Sequence, residues 1–403
     1  MSLESAAKTL ANHIASQEYI EIYSHYDADG IAAAAIISLA LSRAEIAFKL
    51  RILPEISKIY VENPEISLLC DFGASCTDLA ESTMIIDHHV PYNHSPYHVN
   101  PHLFSEDGDN ELSGAGCAYL VANALGDNRN LAGLVMLGIL GDNQTLSGRN
   151  QKIIGDAVAN NLINPSRGIL LAGRTTTEQI AHSLHPYLPN LSGNDDRAAA
   201  IENACQSKVS NDAYTTCVLS QIVLNSNASY SALMGLYGDS WSLEREVIPH
   251  AHTFTAVVDA CGKSGNPGIA YALCCGDASY LEEAWEIAAS YRNRVITAVK
   301  TAKKIREKPA IWIVNDYTTT SDAADVFVES TNSPVFVLGR KATSLQVSGR
   351  APRNSSVNLE NIIRTIALSY DGSGGGHQHR AGAEVPIEHE EEFLANLEAK
   401  VCM

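Results

Sequence analysis

The chain has 403 residues, 45% of them hydrophobic and 18% charged, enough apolar surface for a large core and more length than one domain usually takes. Its formal net charge of -18 excludes a uniformly basic face for nucleic acid, so any contact with phosphate backbones has to be local. The longest apolar stretches, 31–41 and 131–140, are too short to span a bilayer, the first residues lack a leader pattern, and the nine cysteines contain no C-x-x-C pair, so a cytoplasmic protein with neither membrane segment, disulfide framework nor thiolate zinc site is expected.

Residues 19–24 predict a strand, His25-Tyr26-Asp27-Ala28-Asp29-Gly30 a turn, and 31–43 an alanine-rich helix. Residues 46–53 predict a second strand, 66–70 a third that ends on Asp71-Phe72-Gly73, and 84–86 a fourth that stops on Asp87, His88 and His89. With helical segments such as 76–82 between them, the strands imply a parallel sheet with crossovers. Ligands of such sheets gather outside the carboxyl ends of the strands, so Asp27, Asp29, Asp71, Asp87 and His88 are expected to converge there. Further on, Ser113 caps a helix running to Leu125, and the apolar segment 133–141 ends on Asp142, again a carboxylate at the end of an apolar element.

From Gln151 the pattern changes to helical stretches (175–184, 196–205) and a Pro/Asn/Gly-rich loop at 186–196. Seven of the 28 basic residues fall within 291–308, read either as a solvated helix face leading into a linker or as one local nucleic-acid contact. Beyond Lys308, strands at 310–314, 334–338 and 345–348 and a glycine-rich loop at 372–377 predict a second α/β domain. The stretch Cys261-Gly262-Lys263-Ser264 is not a phosphate loop, because Val257 stands where its leading glycine belongs.

The candidate ligands are His25, Asp27, Asp29, Asp71, His88 and Asp142, with Asp87 and His89 beside them. Oxygen and nitrogen donors without thiolates suit manganese or magnesium better than structural zinc. So many acids at one place repel each other unless cations lie between them, and two ions sharing a carboxylate also suit phosphoester hydrolysis.

The blocks S-H-Y-D-A-D-G (24–30), C-D-F-G (70–73), I-D-H-H (86–89), G-I-L-G-D (138–142) and G-G-G-H (374–377) resemble the DHH phosphoesterase superfamily with its C-terminal DHH-associated domain. The segment F-T-A-V-V-D-A-C-G-K-S-G-N-P-G (254–268) and the helical middle are similar to archaeal RecJ-like single-strand exonucleases of the GINS-associated type. This resemblance implies an α/β fold: an N-terminal DHH domain with a parallel sheet (1–150), a helical middle region (151–307) and a C-terminal α/β DHH-associated domain that binds substrate (308–403). It implies two Mn2+ ions, with Mg2+ as the alternative, one held by His25, Asp27 and Asp71, the other by Asp29, Asp71, His88 and Asp142. By the same resemblance Asp87, His88 and His89 form the catalytic triplet, Asp87 orienting His88 and His89 lying against the scissile phosphate. Arg350, Gly375, Gly376 and His377 would grip the strand, joined by Arg380, which departs from the small residue usual in relatives. The implied activity is exonucleolytic hydrolysis of single-stranded DNA or RNA to mononucleotides, without a covalent intermediate; a nanoRNase or cyclic-dinucleotide phosphodiesterase and a replication scaffold bound to the GINS complex are the alternatives.

Overall fold

In the computed structural model, which describes residues 2–54 and 61–401, the chain opens with helix α1 (Leu3–Ala15), followed by β1 (Tyr19–His25), α2 (Ala28–Arg43), β2 (Ala47–Leu53), β3 (Ser67–Cys70), β4 (Met84–Ile86) and β5 (His98–Val99). The strands form one sheet in the order β2-β1-β3-β4-β5, every pair parallel. All residues of β3 and β4 are buried, as continuous apolar runs covered on both faces should be. The order reverses between β1 and β3, the place where open parallel sheets bind ligands.

The crossover from β3 to β4 is not helical. Residues 76–82 run as turns, with Cys76 N–H donating to the Gly73 carbonyl at 3.1 Å and Thr83 N–H to that of Ala80 at 3.0 Å. Thr77, Asp78 and Ser82 compete with helix formation through their own short polar side chains.

Next come α3 (Gly114–Leu125), α4 (Ala132–Gly141) and α5 (Gly148–Ala159). Helix α2 is buried on nearly every side, and its run Ala32, Ala33, Ala34 and Ala35 has no exposed surface, as a central helix in a helical layer requires.

The middle stretch is not wholly helical. Strands β6 (Ile163–Ile169) and β7 (Tyr237–Leu243) pair as a ribbon, and α6 (Thr176–Ala181), α7 (Asp195–Cys205), α8 (Asn211–Asn225) and α9 (Tyr230–Met234) lie between them in sequence. Cys205 and Cys217 form a disulfide that joins α7 to α8, where the sequence indicated no disulfide framework. A pairing made by two helices folding back leaves no spacing signature in the chain.

After β7 follow α10 (Ala251–Lys263), α11 (Pro267–Cys274) and α12 (Leu281–Thr301). The chain divides into two compact units, Met1–Ser166 with Ser240–Ala288, and Arg167–Asp239 with Ala289–Met403.

The second unit carries β8 (Lys303–Glu307), β9 (Ala310–Val314), α13 (Thr320–Val328), β10 (Val335–Arg340), β11 (Ser344–Arg350), α14 (Leu359–Leu368), β12 (Ser373–His377), β13 (Arg380–Pro386) and α15 (Glu390–Val401). Its six-stranded sheet has the order β12-β13-β11-β10-β9-β8, with β9 and β10 parallel and the other pairs antiparallel, over a core that includes Phe336, Leu345, Val347, Ile363 and Phe393.

Two expectations change here. The glycine run is the edge strand β12 rather than a loop: a Cβ at Gly374 would lie 3.3 Å from the Gly382 carbonyl oxygen, and just before the strand one at Gly372 would lie 2.5 Å from that of Glu384, so glycine lets the strand approach its neighbour. The basic run ends in α12 and strand β8, not a linker, and much of its charge is committed, Arg292 donating to the Ala172 carbonyl at 2.8 Å, Arg294 pairing with Asp316 at 2.9 Å and Arg306 with Glu398 at 2.8 Å. Among the described residues no helix is long and apolar enough to cross a membrane.

Candidate metal centre

The first unit's sheet delivers its ligands from adjacent strand ends. His25 closes β1, and Asp27 caps α2 through Oδ1, which accepts from Gly30 N–H at 3.0 Å. Glycine is required at position 30, where a Cβ would sit 2.5 Å from the His25 carbonyl oxygen. Asp71 follows β3 with φ 60°, a left-handed conformation that costs a non-glycine residue about 1 kcal/mol or more and is commonly found at functional sites. Its N–H donates to the Ile86 carbonyl at 2.8 Å, which holds it there. His25 Nδ1 lies 3.0 Å from Asp27 Oδ2 and 3.5 Å from Asp71 Oδ2.

Asp29, wholly buried in the first turn of α2, accepts from Gly114 N–H at 2.6 Å and Ala115 N–H at 2.7 Å, so its charge lies at the positive end of α3. Helix α4 crosses so close that a Cβ at Gly138 would fall 2.0 Å from Asp29 Oδ1, and the same helix ends on Asp142. His88 Nε2 faces three carboxylates, Asp142 Oδ2 at 3.0 Å, Asp71 Oδ1 at 3.3 Å and Asp29 Oδ2 at 3.5 Å.

The orienting partners differ from expectation. His88 Nδ1 lies 2.8 Å from the Gly108 carbonyl oxygen and so carries the proton, while Asp87 does not orient the His88 ring. Asp87 accepts instead from Ala74 N–H at 2.8 Å, His88 N–H at 2.7 Å, His89 N–H at 3.1 Å and His89 Nδ1 at 2.8 Å. It pins the loop backbone and aims His89.

Charge is concentrated here. Burial works against a proton on His25, but Asp27 and Asp71 outweigh it and hold the imidazole well above its usual range. His88 is raised in the same way, by Asp142, Asp71 and Asp29 against burial. Asp27, also opposed by burial, is held well below the carboxylate range by His25 and the Gly30 amide. Burial and the neighbouring Asp71 and Asp142 push Asp29 well above it. Asp87 stays well below the usual range, His89 beside it overcoming burial, and His89 is raised in turn. Cations would take the place of those protons.

The donor set fits two divalent ions. The ligand atoms of His25, Asp27 and Asp71 lie within 4.8 Å of one another, and so do those of Asp29, His88 and Asp142. Asp71 belongs to the first group by Oδ2 and reaches the second by Oδ1. His25 Nδ1 and Asp71 Oδ1 are buried without a hydrogen-bond partner among the described residues, the condition of atoms reserved for a metal.

The expected substrate residues occupy the second unit. Gly375, Gly376 and His377 lie on β12, and Arg380 begins β13 opposite His377. Gly376 has φ 134°, and a Cβ there would meet the Arg380 carbonyl oxygen at 2.3 Å. Arg350 is 6% exposed and gives Nε to Asp325 Oδ1 at 2.6 Å and Nη2 to Asp325 Oδ2 at 3.2 Å and Ser321 Oγ at 2.6 Å. Arg380 also reaches Asp325 Oδ2, at 3.2 Å. In this structure Arg350 is a buried ion-pair partner, which leaves it little freedom to grip a strand.

Sequence reasoning missed Gly108, Gln144 and Gly262. Gln144 Nε2 donates to the Gly108 carbonyl at 2.9 Å, and a Cβ at Gly262 would lie 1.8 Å from the Tyr26 carbonyl oxygen, so α10 rests on the loop bearing Asp27. A glycine inside an apolar helical pattern was the available signal for the last of these.

Comparison with known proteins matches the DHH family, N-terminal domain, to residues 19–139 and the DHHA1 domain to residues 292–402. The chain belongs to the DHH superfamily, a DHH domain followed by a DHHA1 domain. Within it the fold is RecJ-like. It is similar to RecJ from Thermus thermophilus in complex with Mn2+ (18% identity, TM-score 0.59, 99% of this chain and 54% of that one). It is also similar to an exonuclease RecJ bound to manganese (17%, 0.56, 100% and 94%) and to CDC45 from Entamoeba histolytica (12%, 0.62, 100% and 99%). The chain thus spans about half the length of the Thermus RecJ. An uncharacterized protein of Methanocaldococcus jannaschii is 24% identical over 425 residues, covering 98% of this chain and 96% of that protein.

Proposed function

We propose that this chain is a metal-dependent phosphodiesterase that hydrolyses single-stranded nucleic acid from an end and releases mononucleotides. The observation that carries the reading is the pair of ligand groups that meet at Asp71 on the carboxyl edge of the parallel sheet. His25, Asp27 and Asp71 would hold one ion, and Asp29, Asp71, His88 and Asp142 the other, with Mn2+ or Mg2+ suiting the donors. Such ions supply an activated water at neutral pH and neutralise charge on the attacking and leaving oxygens. Asp87 keeps the loop rigid and holds a proton on His89, whose charge meets that of the scissile phosphate. On the second unit, His377 and Arg380 supply polar and cationic contacts to the strand, and Gly375, where a Cβ would meet nothing within 4 Å, lets backbone approach a phosphate.

The test is digestion of an end-labelled single-stranded oligonucleotide beside a dinucleotide, with Mn2+. A ladder shortening from one end with mononucleotide products is expected. Cleavage of the dinucleotide alone would replace this reading with that of a nanoRNase or cyclic-dinucleotide phosphodiesterase, and cleavage of neither would remove the hydrolase reading. A second, compatible role as a scaffold for the GINS complex is the one the resemblance to GINS-associated RecJ-like proteins implies. A pull-down with GINS that retains nothing at physiological salt would remove it.

A further inference from the structure

We propose that Gln144 and Asn150 are positioning residues for His88, a pair of buried amides that hold the Gly108 carbonyl against His88 Nδ1 and so keep the ring oriented toward the metal centre. The inference rests on the metal-dependent reading above and deepens it. Asn150 is fully buried in the first turn of α5, its N–H donating to the Glu111 carbonyl at 2.8 Å. Its Nδ2 donates to the Thr145 carbonyl at 3.2 Å and to Gln144 Oε1 at 2.8 Å. That fixes the sense of the Gln144 amide, oxygen toward Asn150 and nitrogen toward Gly108.

Gln144 Nε2 then donates to the Gly108 carbonyl at 2.9 Å, the same oxygen that lies 2.8 Å from His88 Nδ1. The two nitrogens are 3.3 Å apart and share one acceptor with two lone pairs, so Gln144 holds in place the carbonyl that orients the His88 ring, with Nε2 turned toward Asp29, Asp71 and Asp142. With the amide reversed, Gln144 Oε1 would lie against the Gly108 oxygen; Asn150 prevents this. Gly108 completes the device, since a Cβ there would sit 2.3 Å from the His88 carbonyl oxygen and 2.6 Å from His102 Nε2.

The experiment is a titration of the metal-free 403-residue chain with Mn2+, read by calorimetry and by the electron paramagnetic resonance signal of free Mn2+. Gln144→Met keeps the shape and removes the donor; Asn150→Leu leaves Gln144 in place but frees its amide to turn. Two sites are expected in the wild type. Gln144→Met should weaken one of them by about 10–100-fold and Asn150→Leu the same one by less, with the melting temperature of the metal-free Gln144→Met protein close to wild type. Two sites of unchanged affinity in both variants would overturn the inference and leave the hydrolase reading standing, and so would a lowered melting temperature without loss of affinity. A wild type that takes up no Mn2+ would remove the underlying reading and the inference with it.

Discussion

Arg350→Ala separates two views of the second unit. If Arg350 holds the unit together, its removal leaves Asp325, part-buried and in contact with Arg350 Nε and Nη2, facing Arg380 at 3.2 Å and the neighbouring His185. Breaking a buried pair by deleting one partner costs about 3–5 kcal/mol. Arg380 is about one third exposed and returns part of that, so about 3 kcal/mol of net loss is expected. For a unit of this size each kcal/mol moves the melting temperature by about 2–4 °C, giving a fall of roughly 6–12 °C. Differential scanning calorimetry of Arg350→Ala, Asp325→Asn and the double variant would show the single losses failing to add, because both delete one interaction. A variant that melts like wild type while KM for an oligonucleotide rises several-fold would refute this and return Arg350 to the strand.

Asp87→Ala should abolish hydrolysis and also lower the melting temperature, since four hydrogen bonds to the loop are lost, whereas His88→Ala should abolish hydrolysis with little change in the fold; nuclease assays beside circular dichroism test both. Gly138→Ala drives a methyl group to 2.0 Å from Asp29 Oδ1, so a stability loss of about 1–3 kcal/mol and weakened Mn2+ binding are expected, and wild-type affinity would contradict the packing argument. Burial pushes the His98 imidazole down to about 4, so the unfolded chain takes up a proton below its usual pH 6.5 that the folded chain refuses. Stability from this group is intact above pH 6.5 and falls toward pH 4 by up to about 3 kcal/mol. His98→Leu should flatten that slope in urea melts, and an unchanged slope would show that His98 does not set it.

Much of the first unit was legible because its strands are short apolar runs that end abruptly on acids and imidazoles, as at Cys70-Asp71 and Ile86-Asp87. What was hidden depends on partners distant in sequence. Asp87 and His88 are adjacent, yet the ring of His88 is held by a carbonyl twenty residues away and the Asp87 carboxylate turns to His89. Arg350 looks like a phosphate ligand until α13 brings Asp325 against it, and the Cys205–Cys217 bond needs two helices to fold back. Gly374 and Gly376 of β12 carry no alternating pattern, because their use is to let backbones close.

Anomalous diffraction at the manganese edge, from crystals of the full chain soaked in Mn2+, tests the central claim most directly. Two peaks are expected, one among His25, Asp27 and Asp71 and one among Asp29, His88 and Asp142, with Asp71 touching both. Peaks elsewhere, or none at these residues, would contradict it.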